Sequence, residues 1–128
     1  MIVVDTSVWV AASRQPMVAR VLGELLEADE VSLVLPVRLE LLAGTPRHQR
    51  KTFMRMITAV PQLYPTNDTW QRLPGWIEKA TDAGERFGLT DLLIASLAQE
   101  IDGLVWSLDK DFERMERLEL VSLYSLPH

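Results

Sequence analysis

The chain has no cysteine, which excludes disulfides and thiolate metal sites and fits a reducing compartment. Its only histidines are His48 and His128, so neither a Ser-His-Asp nor a Cys-His nucleophile system is evident. No Gly-rich phosphate loop of either common type is present. No apolar run approaches the length that crosses a bilayer, so no membrane association is expected. The opening MIVVDTS lacks the basic start, apolar stretch and small-residue cleavage site of a secretory signal, and the expected location is cytoplasmic. Positive charge is also in short supply: the net charge is -5 and the pI about 5.0, which argues against a generic nucleic-acid binder.

What remains is the composition of a globular domain. With 128 residues, 48% of them hydrophobic and 24% charged, the chain is long enough to bury a core, and residues 1–128 are expected to form one domain. Ile2, Val3 and Val4 make a β-branched run typical of a strand buried on both faces. Thr6 or Ser7 can then cap a short helix through Ala12, and Pro16 opens a second helix with Val18, Val21, Leu22, Leu25 and Leu26 at helical spacing. A strand is expected over 31–35, a helix over 36–44, and, after Thr45-Pro46, a basic helix to about Val60. A brief strand is expected around Leu63 and Tyr64.

Trp70, Leu73, Ile77, Ala80, Ala83 and Phe87 fit one helical face, with a break at Pro74-Gly75. Thr90 is placed to cap a helix over 91–101, with Ser96, Gln99 and Glu100 toward solvent. The turn Asp102-Gly103 leads to a strand over 104–108, a turn and short helix over 109–117, and a last strand over 120–123. This alternation predicts an α/β/α architecture around a parallel sheet.

Acids interrupt this pattern in unusual places. Asp5 ends the first strand, Glu40 and Asp91 lie in apolar helical segments, and Asp109 follows another apolar strand. An ionised carboxylate buried without compensation costs several kcal/mol, so a shared cation is the economical partner. On a helical wheel Glu40 shares a face with Pro36, Val37, Ala43 and Gly44, opposite Arg38, and Asp91 falls among Ile94, Ala95 and Ala98; both are expected to face inward. Ordinary uses are also open: Asp5 as a helix cap, Asp91 as a complement to the helix dipole, and Asp109 and Asp111 as surface residues of the turn SLDKDF. Oxygen donors favour a hard cation such as Mg²⁺ or Mn²⁺ over Zn²⁺, and that choice points to phosphate chemistry. Arg47, Arg50, Lys51 and Arg55 form an acid-free basic segment, either a solvated helix face or a rim that contacts phosphates.

The segments VVDTSVW, VRLELLAG, LTDLLIASLA and WSLDKDF, in this order, resemble the PIN-domain nucleases, and within them the VapC-type toxins of bacterial toxin-antitoxin pairs. The resemblance implies a parallel sheet of about five strands and a metal-dependent endoribonuclease. Its acidic cluster would be Asp5, Glu40, Asp91 and Asp109, holding Mg²⁺ or Mn²⁺, with Thr6 supporting the first aspartate and Asp111 as an outer acid. It further implies an RNA substrate, a homodimer and a small antitoxin partner. Two positions depart from the family pattern: Ser107, expected to support the site, keeps a hydroxyl where Thr is more frequent, and Leu108 stands where Arg is common. A non-catalytic module of this fold that binds RNA or protein is the main alternative. An aspartyl-phosphate protein is a further one, although Ser7 occupies the position where such a phosphatase would carry its second aspartate.

Overall fold

In the computed structural model, residues 1–126 are described. The first strand, β1 (Ile2–Val4), is buried at every position and leads directly into α1 (Thr6–Ala12) and α2 (Pro16–Glu27), with Pro16 in the first turn of the latter. Strand β2 (Val31–Val34) follows, then α3 (Leu35–Gly44), a 3-10 turn (Arg47–Gln49) and α4 (Arg50–Ile57). Strand β3 (Gln62–Leu63), the long α5 (Asn67–Asp82), α6 (Leu89–Glu100), β4 (Leu104–Trp106) and α7 (Asp111–Arg117) complete the order.

All strand pairs are parallel, in the order β3-β2-β1-β4. Alternation along the strands divides the core between two helical layers. Ile2, Val4, Val31 and Trp106 pack with Val8, Val18, Val21 and Leu22 of α1 and α2. On the other face Val3, Leu33 and Val105 pack with Val37, Leu73, Trp76, Ile94 and Phe112 from α3, α5, α6 and α7. The expected three-layer α/β/α arrangement is therefore present.

The sheet has four strands rather than about five. Residues 120–123 make only a bridge, Leu123 with Val105, in which the Val105 amide donates to the Ser122 carbonyl and the Tyr124 amide to the Val105 carbonyl; on the opposite edge the Leu123 amide donates to the Glu116 carboxylate. Strand β4 also stops early, at Trp106, since the next amides turn to hydroxyls: Leu108 N–H donates to Ser7 Oγ and Asp109 N–H to Ser107 Oγ, each at 3.0 Å.

Four helical expectations are corrected. Pro74 lies inside an unbroken α5. Its missing N–H costs a hydrogen bond, yet the helix is anchored ahead of it by the reciprocal Thr66–Thr69 capping box and by buried Leu73, Trp76 and Ala80 on both sides. That buried face is Thr69, Leu73, Trp76 and Ala80, whereas Trp70 and Ile77 are exposed. Helix α6 starts at Leu89 with extended Gly88 as its cap residue, not at Thr90. Ser96 points into the core: fully buried, it accepts a hydrogen bond from the Arg72 guanidinium at 2.9 Å, and Arg72 also pairs with Glu100. Every residue from Leu92 to Ala98 is buried, so this is a central helix without a solvent face in that stretch.

Candidate metal centre

In parallel sheets the functional crevice lies beyond the carboxyl ends of strands, where adjacent crossovers run in opposite directions. The order β3-β2-β1-β4 puts that point between β1 and β4. The two strand ends are tied there by the Asp5 amide, which donates to the Trp106 carbonyl at 2.9 Å. Asp5 therefore enters the crevice from β1, and Ser107, Asp109 and Asp111 enter it from the turn after β4.

Asp5 is only 7% exposed. It occupies the cap position of α1, but its carboxylate makes no capping hydrogen bond. Instead, Oδ2 accepts from the Ser7 and Ser107 hydroxyls, both at 2.8 Å. Both donors take the same oxygen, and among the described residues none takes Oδ1. Thr6 was the hydroxyl expected on Asp5, with Ser107 expected to support the site; the structure places Ser107 and Ser7 on the Asp5 carboxylate. The Thr6 hydroxyl is buried without a partner in hydrogen-bonding geometry, yet it faces Glu40 closely enough to offset part of the rise in that residue's pKa. The spacing Asp5-x-Ser7 at a helix start is the signal that identifies Ser7, because a side chain there can turn back onto the carboxylate two residues before it.

Asp91, Asp109 and Asp111 each offer a carboxylate oxygen, and these oxygens lie within 4.8 Å of one another. Asp91 stands in the first turn of α6, so it complements the helix dipole and joins the cluster at once. Its pKa is pushed up from 3.8 to about 6, first by burial and then by repulsion from Asp5, Asp109, Asp111 and Glu40. Glu40 is likewise raised, by burial first and then by Asp5. It is nevertheless exposed, at the mouth of the crevice rather than inward as the helical wheel suggested, because α3 contributes only Val37 to the fully buried core. Arg38, expected on the outer face, is half-buried and donates to the Tyr64 hydroxyl at 2.9 Å.

Asp109 is exposed and its Oδ1 accepts the Asp111 amide at 2.9 Å, which starts α7. Asp111 accepts from Arg114 at 2.5 Å, and Arg114 also pairs with Glu85. The hydrogen bond to Asp111 is the main reason that the Arg114 pKa rises above its ordinary value.

Mutual repulsion among the oxygen donors and an Asp5 Oδ1 that accepts from none of the described residues suit a hard divalent cation. Arg47, Arg50, Lys51 and Arg55 lie outside this cluster, exposed along the 3-10 turn and α4.

The PIN domain profile matches residues 2–118. The chain belongs to the PIN-domain family. No curated protein sequence gives a significant match. Solved structures similar to this PIN domain include VapBC2 from Rickettsia felis bound to a promoter DNA fragment, at a TM-score of 0.78 and 17% identity, covering 97% of this chain and 98% of that one. VapBC-1 from nontypeable Haemophilus influenzae gives 0.76 and 19%, covering 98% of each chain. A toxin-antitoxin complex from Klebsiella pneumoniae gives 0.68 and 16%, covering 86% of this PIN domain and 88% of that chain. At these identities the likeness establishes the fold.

Proposed function

We propose that this PIN domain is a Mg²⁺- or Mn²⁺-dependent endoribonuclease, the toxin of a toxin-antitoxin pair. The observation that carries this reading is the grouping of Asp91, Asp109 and Asp111, whose carboxylate oxygens lie within 4.8 Å of one another, with Asp5 and Glu40 close enough to add to the rise of the Asp91 pKa to about 6. Asp5 and Asp91 are the principal ligands, with Asp109 and Asp111 completing the oxygen set. When bound, the cation supplies polarisation of a phosphoryl oxygen and a lowered pKa for the attacking water.

The side chains around it have separable tasks. Ser7 and Ser107 fix the Asp5 carboxylate by donating to Oδ2, which leaves Oδ1 for the ion. Glu40, at the mouth with a raised pKa, is placed to orient water and accept its proton at a carboxylate oxygen. Hydrolysis by water leaves 5′-phosphate and 3′-hydroxyl ends. An acidic crevice repels RNA, so Arg47, Arg50, Lys51 and Arg55 provide the backbone contacts. Leu108, where the family often has Arg, adds no charge to that task.

The antitoxin and homodimer assignments extend the same reading. A groove of about 260 Å³ beside α4, lined by Trp9, Leu41, Phe53, Met56 and Ile57 among others, is an apolar surface of the kind that takes a partner segment. No helix among the described residues is long and apolar enough to cross a membrane; cytoplasmic action on RNA is part of the proposal.

The test is incubation of purified protein with total RNA in Mg²⁺ or EDTA, beside Asp5→Asn, with the product ends mapped. Cleavage that needs Mg²⁺ and Asp5 and yields 5′-phosphates supports the reading. Cleavage that survives both EDTA and the substitution rejects it, and RNA binding without cleavage favours a non-catalytic module.

A further inference from the structure

Among the described residues Arg114 is the base that pairs with an acid of the cluster, Asp111, and its contacts reach beyond that carboxylate. Its Nη2 donates to Asp111 Oδ1 at 2.5 Å, one helical turn away on α7. Its Nη1 pairs with the Glu85 carboxylate. Its guanidinium carbon lies 4.9 Å from the centre of the Phe87 ring, a cation–π contact. Phe87 is 9% exposed and packed in the core, so the guanidinium rests on a fixed platform rather than swinging in solvent.

These partners belong to two segments that deliver different carboxylates. Residues 85–88 run from the end of α5 into α6, whose first turn carries Asp91. Helix α7 starts at Asp111, immediately after the turn that carries Asp109. Among the described residues no main-chain hydrogen bond joins the 85–88 segment to α7, so side chains set their spacing: the shared core of Phe87, Phe112 and Met115 on the buried side and Arg114 on the side of the carboxylates. A planar guanidinium with a rigid fork of donors suits that use, and a lysine ammonium does not.

We propose that Arg114 is a positioning residue of the metal centre: by bridging Glu85 and Asp111 over Phe87, it sets the separation of Asp91 from Asp109 and Asp111 at which one divalent cation fits between them. This rests on the metal-centre reading above. Two effects of removing Arg114 oppose each other. Loss of a nearby positive charge strengthens attraction of a second cation to the cluster, whereas loss of the bridge releases Asp111 and lets the 85–88 segment drift from α7. The geometry favours the second, because Arg114 is spread over three contacts and does not face Asp111 alone.

The test is titration of the purified protein with Mn²⁺ by calorimetry, for wild type, Arg114→Gln, Arg114→Lys and Glu85→Gln, with urea unfolding of each to confirm that it is folded. Wild type should bind Mn²⁺; absence of binding overturns the metal-centre reading itself. Given wild-type binding, Arg114→Gln should weaken it by roughly tenfold, as loss of a partner that orients a ligand commonly does. Arg114→Lys should remain weakened, since it keeps the charge but not the fork. Glu85→Gln, which leaves both Arg114 and Asp111 in place, should also weaken binding and serves if Arg114→Gln does not fold. Tighter binding by Arg114→Gln with unchanged binding by Arg114→Lys overturns the proposal in favour of a simple counter-charge, and unchanged binding in folded Arg114→Gln and Glu85→Gln overturns it outright.

Discussion

Asp91 shows most clearly what clustering does to a single residue. Its pKa is about 6 in the fold against 3.8 in a free chain. Between those values the folded chain holds a proton that the unfolded chain has released, so metal-free stability falls as pH rises through that window. The destabilisation is absent below the lower value and complete above the upper one. Asp91→Asn should therefore stabilise the metal-free protein at about pH 7 by on the order of 1 kcal/mol after allowance for solvent screening. It should also remove most of this pH slope and abolish Mg²⁺-dependent cleavage. Urea unfolding across the window with and without the substitution measures the first two; a wild-type stability that rises over the same window contradicts the assignment. The acids were legible because carboxylates in apolar runs are costly. Ser107 was legible as a supporting hydroxyl, but its partner was not, because Asp5 lies about a hundred residues away in sequence at the end of the neighbouring strand; Ser7 and Arg114 were harder to place, the latter because α6 and β4 separate it from Glu85 in the chain.

At the scale of elements, strands and helices followed from periodicity, and the errors came where tertiary contacts outweighed a local signal. Pro74-Gly75 reads as a break, but α5 continues because its buried face spans both sides of the proline. Pro74→Ala should restore the missing hydrogen bond and raise stability by about 1 kcal/mol, the gain in bonding being partly offset by a freer unfolded chain. Thermal unfolding checks this, and a lower midpoint argues that Pro74 serves the fold. Ser96 was misplaced on the wheel because a wheel cannot see the donor: Arg72 arrives from α5 to satisfy it. Arg72→Ala should cost about 1–3 kcal/mol, since it leaves the fully buried Ser96 hydroxyl unpaired. The double variant with Ser96→Ala should recover much of that loss in the same unfolding measurement.

The whole molecule carries a net charge of -5 while its proposed substrate is a polyanion. The layered fold addresses this by placing the acids in one crevice at the strand ends and the basic residues along the 3-10 turn and α4. Replacing Arg50 and Lys51 together with Gln should weaken RNA binding across sequences and reduce its salt dependence by about one to two phosphate contacts. Mn²⁺ affinity should stay unchanged. An unaltered salt slope would move the RNA path elsewhere. The layer architecture was readable from alternating strands and helices, whereas the strand order that sets the switch point between β1 and β4 was not, because pairing partners leave little trace in a single chain. The central claim is that these acids share a cation, and anomalous scattering from crystals grown with Mn²⁺ tests it most directly. The account predicts a manganese peak bounded by Asp5, Asp91 and one or both of Asp109 and Asp111; an empty crevice at saturating Mn²⁺, or a peak only at other carboxylates, would contradict it.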